Sequence, residues 1–386
     1  MRSPARLFAT SMCLAVLLTV AGSGSAAFGD PSMNASPPST IPAGFHAQSL
    51  SWVSATHGWM IGSGPCGQTT CTTVVRTTDG GGTWKKLGTL SAPLTLEGAT
   101  GVTEVRFADD LHGWAFEPAL WATSDGGATW QRQAPPGSGR LVLALAGDSD
   151  AAYAVVSPCR LNRLCRFPAT LWRTTPGQGS WTQVSLTLPD LSAFNTVVLA
   201  VHGVVAYLAV PSFLLNAGAS ADPDVLDVTV DGMQWRPRPD PCDPGNGETL
   251  TSVAPISDTK VALLCQGNIG FGKAEKLVLK SGDNGQTTSS AGPISIWGIT
   301  SELAAAPNGT LVLASYSIAT WMYRNSDGHT WTTQLDMGDG GMGWNDPVFV
   351  AAQIGFVIHG PSAVCCRGHS GQLWKTENGG LTWGPA

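Results

Sequence analysis

Short apolar runs punctuated by turn residues fill most of the chain, and they come in pairs. The first members read SLSWVS, TEVRFA, LVLALAG, TVVLAVH, LTSVAPI, ITSELAA and FVAAQ. The second members read GWMIG, GWAFE, AYAVV, VAYLAV, VALLC, TLVLAS and GFVIHG. Many are apolar at every position, the pattern of strands whose two faces are both covered. They predict the first and second strands of a repeated all-β unit, with almost no helix.

Each pair leads into one motif: a small hydroxyl residue, any residue, Asp, any, Gly, any, Thr, Trp. It stands as TTDGGGTW from Thr77 to Trp84 and TSDGGATW from Thr123 to Trp130. TTPGQGSW (Thr174 to Trp181) has Pro176 in place of Asp, and TVDGMQW (Thr229 to Trp235) is one residue shorter. SGDNGQTT (Ser281 to Thr288), NSDGHTW (Asn325 to Trp331) and TENGGLTW (Thr376 to Trp383) complete the set. The starts lie 46, 51, 55, 52, 44 and 51 residues apart, the length of one four-stranded blade. Seven copies predict a single seven-bladed β-propeller of four-stranded antiparallel blades.

The motif has a mechanical rationale. Asp79, Asp125, Asp231, Asp283 and Asp327, with Asn378, start tight turns and accept hydrogen bonds from backbone N–H groups just ahead. Gly supplies a positive-φ position. Trp84, Trp130, Trp181, Trp235, Trp331 and Trp383 bury large rings between neighbouring strands. A motif repeated this often cannot be one active site, so the role expected for these residues is structural.

Composition and the N-terminus set the compartment. Only 12% of residues are charged and 47 are Gly, which fits short strands and tight turns. The formal charge of −6 argues against nucleic acid or an anionic membrane surface as partner. Residues 1–27 read as a secretory signal: Arg2 and Arg6, an apolar stretch from Leu7 to Val20, then small residues ending at Ala27. Residues 28–45, with Pro31, Pro37, Pro38 and Pro42, read as a Pro/Ser-rich linker, and 46–386 as the propeller. No later run is long enough to span a bilayer. An extracytoplasmic monomer, secreted, periplasmic or envelope-associated, is the expectation.

These Asp-box (BNR) repeats, with ATHGW (Ala55 to Trp59) and DLHGW (Asp110 to Trp114) in the first two units, resemble the photosystem II stability and assembly factor-like family. The resemblance covers roughly residues 45 to 386. It implies an exported seven-bladed propeller that acts as an assembly factor and performs no chemistry. Sialidases, xyloglucanases and sortilin-type receptors share the box, so it specifies fold more closely than function.

Eight cysteines remain beyond Cys13, an even number suited to an oxidising compartment. Cys66 and Cys71 bracket GQTT, and Cys159 and Cys165 bracket RLNRL. Cys242, Cys265, Cys365 and Cys366 complete the disulfide candidates. A four-stranded meander puts all of these on the rim opposite the boxes, which also holds the longest loops. That makes this rim a candidate binding face, beside the plainer reading that disulfides merely secure loops. Cys365 and Cys366 offer either a vicinal disulfide or bridges to Cys66 and Cys71. With His359 and His369 they also form the one cluster of metal-ligand character, weakened by the adjacency of the cysteines. No metal or cofactor is expected.

Arg76, Arg173, Lys280, Arg324 and Lys375 immediately precede five of the boxes. They form a candidate ring for an acidic partner, or else solvated ion pairs. His57 and His112 occupy equivalent turns, which favours a structural role. Glycoside hydrolysis needs two carboxylates at a set separation. The glutamates, among them Glu97, Glu104, Glu117, Glu248, Glu275, Glu302 and Glu377, are scattered along the chain. The leading reading is a non-enzymatic scaffold or assembly factor that binds a protein partner. The alternative is a glycan-binding or glycan-hydrolysing, sialidase-like propeller.

Overall fold

In the computed structural model the repeats fold one by one into sheets. The structure describes residues 40–95, 100–159, 168–189, 197–211, 224–270, 272–292, 294, 296–339, 342–360 and 371–386. These form seven four-stranded antiparallel sheets, each built from one continuous stretch of chain with strands in sequence order. In blade one the strands are His46–Trp52, Gly58–Cys66, Thr69–Thr77 and Lys85–Leu90. The single helical turn among the described residues is Pro244–Asn246. No helix there is long and apolar enough to cross a membrane.

The first strand of each blade lines the middle. These strands are His46–Trp52, Glu104–Phe107, Leu141–Asp148, Val198–His202, Thr249–Pro255, Thr300–Ala305 and Trp344–Phe349. Each contacts the first strands before and after it, and the last contacts the first, so the seven enclose a central channel. In a meander of this order the box turns share one rim with the turns between first and second strands. The turns between second and third strands lie on the opposite rim.

Apolar burial is partitioned by blade. Seven buried clusters occupy the seven joins between consecutive blades. The box tryptophans help fill these joins: Trp84 meets Trp52 edge-on at 5.8 Å, and Trp130 meets Phe107 at 6.0 Å. Each of those partners is stacked on an aromatic of the preceding blade, Trp52 on Phe356 and Phe107 on Trp59. The rings therefore seal blade against blade, where the sequence suggested only strand against strand.

Two expectations shift. The first strand of blade seven is Trp344–Phe349, whereas the apolar run suggested 349–353. Asn345, Asp346 and Pro347 interrupt the hydrophobic pattern, and the register is irregular between Asn345 and Val348. The fold also begins earlier than residue 46. Trp84 N donates to Thr40 O and Thr40 N to Gly82 O, while Phe45 is buried and Ile41 packs between blades seven and one. Residues 40–45 are thus part of the propeller; the proposed signal and the rest of the linker lie outside the described residues.

Blade one and blade seven each own four strands, so the ring closes without sharing a sheet. Ala47 N donates to Gly371 O, and Leu50 N to Asp346 Oδ2, across the join.

Candidate functional site

On the box rim the carboxylates are consumed locally. Asp79 Oδ1 accepts from Thr83 N and Thr77 Oγ1 at 2.8 Å each, and Oδ2 from Thr83 Oγ1 at 2.6 Å. Asp125 and Asp283 repeat the set with Thr129 and Thr287. These bonds hold the Asp79 and Asp283 carboxyls down at about 2, the Thr83 and Thr287 hydroxyls contributing most. In the shorter boxes Asp231 binds Met233 N and Gln234 N, and Asp327 binds His329 N and Thr330 N. In blade three, where Pro176 replaces Asp, Thr174 Oγ1 donates to Ser180 O instead.

The basic residues before the boxes are tied into the blade joins. Arg324 Nε donates to Gly379 O of the next box at 2.7 Å, and Lys280 Nζ to Gly328 O at 3.4 Å. Arg76 lies over the Trp59 ring at 4.7 Å and pairs with Asp110 of blade two at 3.4 Å. Arg173 lies against the Tyr153 hydroxyl, which donates to Gly232 O of the next box. Lys375 pairs with Glu377 and sits over Phe356. Arg76, Lys280 and Arg324 thus reach across to the next blade, Arg173 and Lys375 find partners within their own, and little of a free cationic ring is left. The His-Gly-Trp motifs work the same way: His57 Nδ1 meets Asp110 Oδ1 at 2.6 Å, and Trp59 Nε1 donates to Gly126 O at 2.8 Å.

On the opposite rim, Cys66 is bonded to Cys71 and Cys242 to Cys265. The first pairing excludes bridges from Cys66 and Cys71 to Cys365 and Cys366. Cys159 is disulfide-bonded as well. Cys165, Cys365, Cys366 and His369 lie outside the described residues. His359, their companion in the metal-like cluster, hydrogen-bonds Asp339 at 2.7 Å against Trp344 and Trp374. Asp224, Asp240 and Cys242 also converge, but the Cys242 sulfur is held in its disulfide, which removes the thiolate a metal would need.

The structure brings together a group that the sequence left scattered. Glu104 and Arg106 of blade two, Glu302 of blade six and Asp346 of blade seven all stand on channel-lining strands. Arg106 Nη2 lies 2.8 Å from Asp346 Oδ1 and 3.0 Å from Glu104 Oε2. Its Nη1 donates to Ser49 Oγ and Leu50 O of blade one. Asp346 N donates to Glu302 Oε2 at 3.1 Å, and Thr103 Oγ1 to Glu117 Oε2 at 2.8 Å. Glu117 and Asp346 adopt φ of 67° and 52°, two of the three described non-glycine residues in the left-handed region.

Burial, reinforced by the Asp346 charge, pushes the Glu302 carboxyl up to about 8 and holds Glu104 well above its ordinary value. Burial also raises Glu117. Burial opposes the Arg106 charge, but Asp346 and Glu104 outweigh it and raise its pKa. The side chains of Arg106 and Glu104 keep 29% and 26% of their surface open, so the cluster faces channel solvent and is not sealed in apolar core.

The same rim carries the exposed apolar trio Ile269 (65% exposed), Trp297 (52%) and Ile318 (76%). Their loops are braced to one another: Gly298 N donates to Gly272 O, Ser317 Oγ to Gly272 O and Ser315 Oγ to Trp297 O. Nothing in the apolar alternation marked these three, because they sit at turns beyond the strand pattern.

No protein-family model and no curated protein matches the chain. Solved structures do. One is YCF48 bound to a D1 peptide, at 17% identity and a TM-score of 0.52, covering 86% of this chain and 97% of that one. Another is the β-propeller domain of the Trilobed protease from Pyrococcus furiosus, of open velcro topology, at 6% identity and a TM-score of 0.51, covering 88% and 97%. A third is an α-L-arabinofuranosidase from Fusarium graminearum in complex with an iminosugar inhibitor, at 12% identity and 0.50, covering 86% and 93%. At such identities the likeness is one of fold, and by fold this chain is a seven-bladed β-propeller similar to that of YCF48.

Proposed function

We propose that this protein is an exported, non-enzymatic propeller that binds a protein partner as a scaffold or assembly factor, through the rim opposite the boxes. The observation that carries this reading is the trio Ile269, Trp297 and Ile318, exposed together on braced loops. An exposed indole flanked by aliphatic side chains is the composition of an interface centre, and pre-ordered loops lower the entropy cost of docking. The YCF48 neighbour was solved with a D1 peptide bound, which is consistent with a polypeptide as ligand for this fold. Disulfides on the same rim support export to an oxidising compartment.

The experiment is mild crosslinking and capture of the tagged protein from its native envelope, beside a variant carrying Ile269→Asp, Trp297→Ala and Ile318→Asp. One dominant protein captured by the wild type and lost in the variant is the expected result. Recovery of glycan alone, or capture indifferent to the variant, overturns it.

A second reading, glycan hydrolysis in the channel, has one observation in its favour. Glu302 is held protonated near neutral pH beside the Asp346 carboxylate, the kind of split that separates an acid from a base. Against it, each carboxyl in the cluster already engages an internal partner. Turnover of aryl glycosides by the wild type, abolished by Glu302→Gln, would favour this reading over the first.

A further inference from the structure

Beside the apolar trio runs a groove of about 370 Å³. One wall is the hairpin of blade five (Val261–Gly270 and Lys273–Ser281); the other is the connection to blade six, with Ile294 and Ile296. In the run Lys-Ala-Glu-Lys the alternation of a strand turns Ala274 and Lys276 inward, toward blade six. Lys276 is only 8% exposed. Its Nζ donates to Gly298 O at 2.6 Å and to Ala274 O at 3.1 Å.

Two carbonyl oxygens satisfy two of three N–H groups, but they neutralise no charge. No carboxylate among the described residues comes within ion-pair distance of Lys276 or of its exposed neighbour Lys273. Burial accordingly holds the Lys276 amine down at about 8. A buried ammonium without a counterion costs several kcal/mol. An amide side chain would brace Gly298 without that cost. Among the described residues Lys276 is the one lysine or arginine that is buried, and Glu275, the carboxylate that lines the groove, is exposed on the other face of the strand.

We propose that this groove receives an acidic side chain of the partner polypeptide, with Lys276 taking the carboxylate and Ile294 and Ile296 taking a neighbouring aliphatic side chain. This rests on the reading of the rim as the docking face, and it names the chemistry that face selects: an extended segment pairing Asp or Glu with Leu, Ile or Val.

The test is to pan a random heptapeptide phage library on the full-length protein, then to measure synthetic copies of the selected peptides by calorimetry. The wild type should enrich acidic residues next to aliphatic ones. Changing the acid of a selected peptide to its amide should weaken binding about tenfold, the worth of one charge-assisted hydrogen bond. In Lys276→Met, which keeps the volume and removes the charge, that ratio should fall to about one while the peptide's aliphatic dependence persists. Lys273→Gln, exposed on the other face of the strand, should leave the ratio at its wild-type value, and a ratio that falls as far as in Lys276→Met would overturn the assignment to Lys276. A selected pool without acids, or an acid-to-amide ratio near one in the wild type, overturns the anionic subsite and leaves the docking face intact. Peptides whose binding ignores Trp297→Ala and Ile318→Asp overturn the docking face and the subsite with it.

Discussion

The inner strands of blades three, four and five differ in kind from those of blades two, six and seven. Apart from Asp148 and His202 at their ends, Leu141–Asp148, Val198–His202 and Thr249–Pro255 carry no charge, and their joins are mainly aliphatic, with Tyr153, Tyr207 and Trp235 among them. On the other side of the channel, Arg106 links Glu104, Asp346 and the backbone of blade one. That cluster brackets the one join the chain does not cross. Everywhere else a covalent connection backs the packing and the hydrogen bonds between consecutive blades, such as Arg324 Nε to Gly379 O and Trp59 Nε1 to Gly126 O. Between blades seven and one no connection exists and no strand is shared. There the ring is held by contacts that specify position: the Trp52–Phe356 stack, the Leu50–Asp346 hydrogen bond and the Arg106 clasp reaching from blade two.

The sharpest way to break this comparison is Arg106→Met. Stranding Asp346 and Glu104 without their cation should cost about 3–5 kcal/mol by chemical denaturation. Val201→Ala, on the aliphatic side, should cost about 1 kcal/mol, the loss of two partly buried methyl groups. Equal costs would mean the clasp is incidental to closure.

The disulfides come next. Breaking Cys242–Cys265, which closes a separation of 23 residues, should cost about 3 kcal/mol on the loop-entropy account. Breaking Cys66–Cys71, at a separation of 5, should cost about 2 kcal/mol. A reversed order in paired Cys→Ser variants would show that local packing outweighs chain entropy on that rim.

Glu302→Gln probes the cluster through pH. With its carboxyl raised to about 8, the native state binds more protons than the unfolded chain between the ordinary carboxylate range and pH 8. The stability this group contributes is complete at low pH and is lost as pH rises through 8. The variant stays neutral throughout. Its stability should match the wild type near pH 4 and exceed it by about 1–2 kcal/mol near pH 9, after allowance for the partial exposure of Glu302. Parallel melting curves at the two pH values would refute the assigned protonation.

Asp79→Asn should have the smallest effect, within about 0.5 kcal/mol in thermal melts. Blade seven already performs this exchange: Asn378 Oδ1 accepts from Thr382 N at 2.9 Å and its Nδ2 donates to Thr382 Oγ1 at 2.8 Å. A large loss would mean that the charge matters to the box as well as its geometry.

The boxes were legible because their hydrogen bonds close within a few residues, as between Asp79 and Thr83, so motif and contact coincide along the chain. The basic residues before the boxes were legible as a pattern, but their partners were not. Arg324 finds Gly379 O, 55 residues on, and only the packing of blade on blade makes that carbonyl its acceptor. Asp346 was hidden twice, in a strand whose polar residues break the apolar alternation and 240 residues from Arg106.

The sequence by itself determined what local rules can encode: the repeat, the turn chemistry, the near-absence of helix and the number of blades. Tertiary structure alone decided which charges meet in the channel, how an untethered seam is held, and which apolar side chains are left facing solvent on each rim. Those outcomes depend on blades meeting around a closed ring. The meeting residues lie tens to hundreds of positions apart, where no local periodicity carries information about their partners.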